Sequence, residues 1–240
     1  MFDELSVNIV LLVVCYAYIL ICIVLSGKAS RLFGFSGKFS RKLLHVLIGN
    51  LPLLIPFFTL NVFPMNFPFL VAAPFIVVTF LASPYSPIRK LNERFSSLTG
   101  ITEEGHHLGL VYYAISYTVL ALFFASKPYV IAAGILPMAY GDAFAAIVGE
   151  KYGRTRYRTF TKKSFEGSTA MFLVSFLSLE VSLLYFSALL SSLPPSGLTI
   201  VAVGVALVVT LVEAVSPRGF DNITVPISGA LVFLLLNGGV

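Results

Sequence analysis

Long apolar runs, repeated along the chain, restrict its fold more than any other feature. Eight of them, at about 7–26, 43–60, 62–82, 108–126, 128–149, 168–191, 197–215 and 223–239, take up most of the 240 residues. A bilayer core needs about 20 apolar residues per helix. Only 11% of the residues are charged, too few to cover a water-soluble domain of this size. The sequence therefore predicts an all-α, polytopic membrane helix bundle of about eight transmembrane helices. It reads as a single domain over 1–240 with no internal repeat. Pro52, Pro56, Pro68, Pro74 and Pro137 lie inside runs, where neighbouring helices can satisfy the freed carbonyls. Asp3 and Glu4 precede the first run in place of a basic segment, so it is expected to be a mature span and not a signal peptide. Cys15 and Cys22 share a face of that run and read as small apolar packing residues.

Charge sets the expected orientation. Lys28, Arg31, Lys38, Arg41 and Lys42 lie in loop 27–42, and Arg89, Lys90 and Arg94 in loop 83–107. Lys151, Arg154, Arg156, Arg158, Lys162 and Lys163 lie in loop 150–167, and Arg218 in loop 216–222. These are alternate loops, and Lys127 is the one basic residue outside them. The positive-inside rule makes them cytoplasmic, with both termini on the non-cytoplasmic side. The opposite loops are short and nearly uncharged, so any chemistry is expected on the cytoplasmic face.

The ionisable residues within runs collect near that face. Asp142 lies roughly 10 Å inside the end of run five, at 1.5 Å per helical residue, and Glu213 lies similarly near the end of run seven. Acids at such depth are costly and mark a polar cavity or a structural ion pair. Glu180 is mid-run, and an interhelical hydrogen bond accounts for it. Gly141, Ala145, Gly149 and Gly153 form a small-residue strip beside Asp142. Close helix packing explains the strip by itself, and a cavity wall explains the acid next to it.

The basic loop ends in "KKSFEGS" at the start of run six. Free backbone N–H groups and the dipole at a helix start favour phosphate; Lys162 and Lys163 add charge, and Glu166 offers a ligand to a metal bridging phosphates. No Walker A loop is present. In "EAVSPRGFDNITVP", Asp221 and Asn222 open run eight as site residues or as helix caps. Asp142, Glu166, Glu213 and Asp221 opposite many lysines and arginines suit phosphoryl transfer: a metal neutralises developing charge and an acid accepts a hydroxyl proton. Arg41, Lys42 and His45 have helical spacing in "FSRKLLHVLIGN", with His45 either interfacial or part of the site. Glu103, Glu104, His106 and His107 in "TEEGHHLG" lack the spacing of a zinc site and read as an entrance loop.

"RKLLH", "GDAFAAIVGEKYGR", "KKSFEGS" and "E…SPRGFDNITVP", in that order over roughly 41–226, resemble the CTP-dependent polyprenol kinase family. That family groups dolichol kinases, phytol and farnesol kinases, and CTP-dependent diacylglycerol kinases. The resemblance implies a membrane lipid-alcohol kinase with nucleotide-binding motifs in 139–168 and 213–226. It implies transfer of the CTP γ-phosphate to a long-chain alcohol with Mg2+ or another divalent cation. It implies Asp142, Glu166 and Glu213 as metal ligands, with Glu213 or Asp221 alternatively the general base. Lys162, Lys163 and Arg154 are then expected on the phosphates, with Ser164, Arg41 and His45 beside the nucleotide and Asn222 positioning it. Gly141, Gly149 and Gly167 are expected to let backbone approach the nucleotide. The short chain is similar to the small polyprenol and phytol type.

Phosphatidate cytidylyltransferases share the first two motifs, but their His-Gly-Gly signature is missing here. An anion transporter is a further alternative, and the outer halves of the runs offer it few polar residues. No nucleic-acid partner is expected. A homo-oligomer is open, because the glycine strip serves packing within or between chains.

Overall fold

The computed structural model describes residues 3–33, 37–87 and 108–237, and is mostly helical. Arg89, Lys90, Arg94, Glu103, Glu104, His106 and His107, and the side chains of Arg31 and Lys38, lie outside the described residues. The helices are α1 (Glu4–Phe33), α2 (Gly37–Ile48), α3 (Phe67–Leu81), α4 (Gly109–Phe124), α5 (Pro128–Leu136), α6 (Asp142–Tyr152), α7 (Phe165–Leu189), α8 (Leu198–Val215) and α9 (Asp221–Leu236). Among the described residues four stretches are long and apolar enough to cross a membrane: Glu4–Lys28, Pro128–Tyr152, Phe165–Leu189 and Leu198–Val215. α3, α4 and α9 are shorter apolar helices.

The second run departs from the expected single span. Its polar start forms α2, and after Asn50 the chain tightens into a 3-10 stretch, Leu51–Phe57. Pro52 and Pro56 supply no N–H to an α-helical ladder, and Asn50 Nδ2 instead donates to the carbonyls of Val46 and Leu47 at 3.0 and 3.3 Å. The bundle also holds two short hairpins that an all-α reading did not foresee. β1 (Asn61–Val62) pairs with β2 (Met65–Asn66), and β3 (Arg156–Arg158) pairs with β4 (Lys162–Ser164), both antiparallel.

Pro128–Tyr152 is the central stave. Val130, Ile131, Ala132, Ala133 and Ile135 are fully buried, against α4, α7, α9 and the 3-10 stretch. Close approach to α9 is possible because Gly134 of this stave and Gly229 of α9 face each other; a Cβ on Gly134 would strike the Pro226 carbonyl, and one on Gly229 would strike the Ala133 carbonyl. Pro137 begins a π-helical turn, Pro137–Gly141, that ends at Asp142. Such single wide turns re-aim the residues that follow them. By contrast α1, α7 and α8 leave Val13, Leu20, Val181, Ile200 and Leu211 at least half exposed. Outward apolar faces of that extent call for lipid around them.

Side-chain hydrogen bonds fix which ends meet. Asn66, which caps α3 by accepting from Phe69 N–H at 2.9 Å, donates to the Ala121 carbonyl at 2.9 Å, so α3 and α4 run antiparallel. Asn8 near the start of α1 donates to Thr59 Oγ1 at 2.7 Å and accepts from the N–H groups of Thr59 and Leu60. The start of α1 therefore lies with the β1–β2 hairpin, and the opposite end of the bundle gathers α2, α6, the β3–β4 hairpin and the α8–α9 turn.

Candidate active site

At that end a cavity of about 830 Å³ opens between α2, α6, β4, α7, α8 and the start of α9. Its wall includes Arg41, Lys42, Asp142, Lys162, Lys163, Glu213 and Asp221. α2 presents one polar face here, and Arg41 and Lys42 come from it. Lys42 donates to Asp142 Oδ2 across the cavity as an ion pair. Lys163 likewise donates to Glu213 Oε1. Asp142, Glu213 and Asp221 are all buried. Among the described residues no lysine or arginine is paired with Asp221, whose Oδ1 accepts from the backbone N–H and the side-chain amide of Asn222 at 3.0 and 3.1 Å. Lys42, Lys163 and Arg41 still act on it through space. One Arg41 guanidinium nitrogen, Nη1, is buried without a hydrogen-bond partner, so this cation is held ready for an anion.

Local chemistry explains how Lys163 arrives there. Tyr157 pairs with Lys163 across the hairpin, and the Tyr157 hydroxyl meets Ser168 Oγ at 2.6 Å. At the hairpin tip, Thr159 donates to the Ala214 carbonyl at 2.6 Å, tying it to the end of α8 beside Glu213. Burial opposes the Lys163 ammonium, but the carboxylates of Glu213, Asp142 and Asp221 outweigh burial and hold its pKa above the ordinary lysine value. Ser164 then caps α7 by accepting from Gly167 N–H at 3.1 Å, a standard use of serine at a helix start.

The small-residue strip packs within the chain. Cβ atoms on Gly149 and Gly167 would meet Ser164 Oγ, each at 3.1 Å, and the Gly167 one would also lie 2.9 Å from the Ala145 carbonyl oxygen. A Cβ on Gly141 would strike Ser175 Oγ and Met171 Sδ of α7. Gly141 is thus a packing residue away from the cavity, whereas Gly149 and Gly167 line it. Asp142, one residue off the strip, faces α2.

Several expected site residues stand elsewhere. Glu166 Oε1 accepts from Thr155 N–H at 3.1 Å, and neither it nor Arg154 lines the cavity. An acid in the first helical turn is drawn to nearby backbone N–H groups, which takes Glu166 from the carboxylate group. Asn222 reaches back to Asp221 and the Gly219 carbonyl, making it a support for Asp221. Gly219, at φ 82°, supplies the left-handed turn that aims both. His45 stacks on Tyr113, with ring centroids 4.6 Å apart, one turn below Arg41. Glu180 accepts from Thr199 at 2.7 Å between α7 and α8, as its mid-run position led us to expect.

Lys42 is the residue that sequence reasoning left out of the site, although "RKLLH" contained it. The basic and acidic groups together suit a polyanion such as a nucleotide phosphate chain. Among the described residues no three Asp, Glu, His or Cys groups converge on a single ion position. A divalent cation such as Mg2+ needs only one or two protein carboxylates, with phosphates and waters completing its shell, and Asp142, Glu213 and Asp221 fit that demand.

The fold and this polar end define a mostly helical protein with apolar helices of membrane-spanning length and a cavity lined by both basic and acidic side chains at one end of the bundle. Comparison with known proteins then gives relatives. The chain is 37% identical over 153 residues to the phytol kinase of Synechocystis sp., covering 60% of this chain and 62% of that protein. It is 36% identical over 132 residues to a probable chloroplastic phytol kinase 2 of Glycine max, covering 53% and 45%. It is 28% identical over 212 residues to the chloroplastic phytol kinase 1 of Arabidopsis thaliana, covering 83% and 66%. The chain spans less than two thirds of the length of the first two of these relatives. No family model and no solved structure matches it. These homologues support the CTP-dependent polyprenol and phytol kinase family, which the motifs resemble.

Proposed function

We propose that this protein is a membrane lipid-alcohol kinase that transfers the γ-phosphate of CTP to a polyprenol-type alcohol such as phytol. The observation that carries the reading is the cavity in which Arg41, Lys42 and Lys163 alternate with buried Asp142, Glu213 and Asp221. The names of the relatives support the alcohol acceptor. CTP as donor rests on the motif resemblance.

Lysines occupy Asp142 and Glu213 in the structure. On nucleotide binding Lys42 and Lys163 turn to the phosphates, and Arg41 joins them through its unpartnered nitrogen. The carboxylates so released, Asp142 and Glu213, would hold Mg2+, which would supply charge neutralisation to phosphoryl transfer. Asp221, oriented by Asn222 and held by no lysine, accepts the proton of the attacking hydroxyl. Lys162, exposed on the cavity rim, attracts the nucleotide.

The site faces the cytoplasm, and the chain crosses the bilayer eight times with both termini opposite. The distribution of basic residues supports that orientation. The pairing of helix ends supports the crossing count if α2 and the 3-10 stretch together make one passage.

Incubating the purified protein with γ-labelled CTP and, separately, phytol, geranylgeraniol, a dolichol and diacylglycerol tests the reading. Label in phytol or another polyprenol-type product, lost on chelation of Mg2+, is the expected result. Label transferred from α-labelled CTP to phosphatidate would make the protein a cytidylyltransferase instead, and no label in any lipid would remove the kinase reading.

A further inference from the structure

Below the polar cavity a narrow apolar groove runs between α1, α2, α3 and α4, with Ile19, Leu44, Val71, Phe75, Ala114 and Tyr117 in its wall. Tyr113 is also in that wall. It is 5% exposed, and its hydroxyl is buried without a hydrogen-bond partner. A buried hydroxyl left unpaired loses its hydrogen bonds to water without replacement. An occupant that brings its own hydroxyl on an apolar body would satisfy it.

The position of Tyr113 links groove and cavity. Its ring stacks on His45, with the planes 11° apart. His45 is one helical turn below Arg41 and Lys42, which face the cavity. Tyr113 is one turn below Gly109, where a Cβ would lie 3.4 Å from Asn222 Nδ2, beside Asp221. The stacked pair thus stands between the charged groups and the apolar wall.

The geometry points to this groove as the subsite for the hydroxyl-bearing end of the acceptor's hydrocarbon chain, with Tyr113 as a positioning residue for that hydroxyl. The inference rests on the kinase reading above and names the acceptor's chemical class. The free space of the groove, about 60 Å³, takes a short stretch of one chain. A groove this narrow suits the single chain of a long alcohol better than the two tails of a glyceride, with the rest of the tail in the bilayer.

The test uses the full chain in lipid nanodiscs and a prenyl alcohol carrying a photoreactive diazirine near its hydroxyl end. Mass spectrometry should find adducts on peptides of α2, α3 and α4. Excess phytol should compete and diacylglycerol should not. Ala114→Leu and Ala72→Leu, which fill the groove, should cut labelling about ten-fold and raise KM for the alcohol with KM for CTP unchanged. Tyr113→Phe removes one oxygen and keeps the packing. It should retain labelling while kcat/KM for the alcohol falls about ten-fold. Adducts confined to the outer faces of α7 or α8, equal competition by diacylglycerol, or an unchanged kcat/KM in Tyr113→Phe would each overturn the inference. The two readings fail separately: groove labelling without phosphorylation of any alcohol removes the kinase reading alone, and an active enzyme labelled elsewhere removes the groove alone.

Discussion

Lys42 and Asp142, 100 residues apart in the sequence, form a largely buried ion pair across the cavity. Removing one member of such a pair leaves an uncompensated charge and costs about 3–5 kcal/mol, whereas replacing both with neutral groups is often close to neutral. Lys42→Met should therefore lower the thermal transition in detergent, and Lys42→Met with Asp142→Asn should restore most of it. Under the kinase reading, neither variant nor Asp142→Asn alone should turn over. Normal turnover in Asp142→Asn would take that acid out of the chemistry. The second pair, Lys163 with Glu213, has a definite pH signature. Because the folded pKa of Lys163 is raised, its stabilisation is present at and below the ordinary lysine value of about 10.4 and is lost as pH rises through the folded value. Stability against pH should be flat from about 7 to 10 in this respect. Thermal scans of Lys163→Met against the parent should converge only on the alkaline side; convergence at neutral pH would mean that the pair contributes nothing.

The elements that carry these residues were legible to different degrees. The apolar runs at 128–149, 168–191 and 197–215 became helices close to their expected bounds, because length and hydropathy dominate there. The second run did not become one straight helix, since Asn50, Pro52 and Pro56 break the ladder locally. The β3–β4 hairpin was hidden in a loop read only for its charge. Its pairing depends on Tyr157, Thr159 and Ser168 meeting partners that a periodicity reading does not weigh. "KKSFEGS" was correctly placed at a helix start, but Glu166 turned to backbone N–H groups and left the carboxylate cluster. The glycine strip was ambiguous by sequence, and the structure assigns it to the α6–α7 contact. Gly167→Ala should accordingly cost about 1–3 kcal/mol, as over-packing of a close contact does, because its Cβ would lie 2.9 Å from a backbone oxygen. A thermal transition unchanged in that variant would show that the contact has room to relax.

At the scale of the whole molecule, charge patterning in the loops anticipated which ends of the helices would meet. Loops 27–42, 150–167 and 216–222 contribute the basic wall of one cavity, although nothing in their separate sequences states that Lys42 faces Asp142. That fact needs the π-helical turn that begins at Pro137 and the packing of α2 against it. Sidedness remains the measurable consequence. With Cys15 and Cys22 buried, single cysteines placed at Arg158 and at Ser196 can be labelled in sealed vesicles by a membrane-impermeant maleimide. The expected outcome is reaction at opposite faces, with Arg158→Cys protected from outside in right-side-out vesicles. Labelling of both from one side would contradict the proposed topology.

The two ion pairs have a bearing on biosynthesis. The partners of one pair come from α2 and α6, and those of the other from the β3–β4 hairpin and α8. During synthesis Lys42 precedes its acid by 100 residues, and Lys163 precedes its own by 50. In each case the cation is synthesised first. The acid that follows finds its counter-charge already present in the chain. The order of the two signs along the chain thus has each carboxylate synthesised after the lysine that neutralises it.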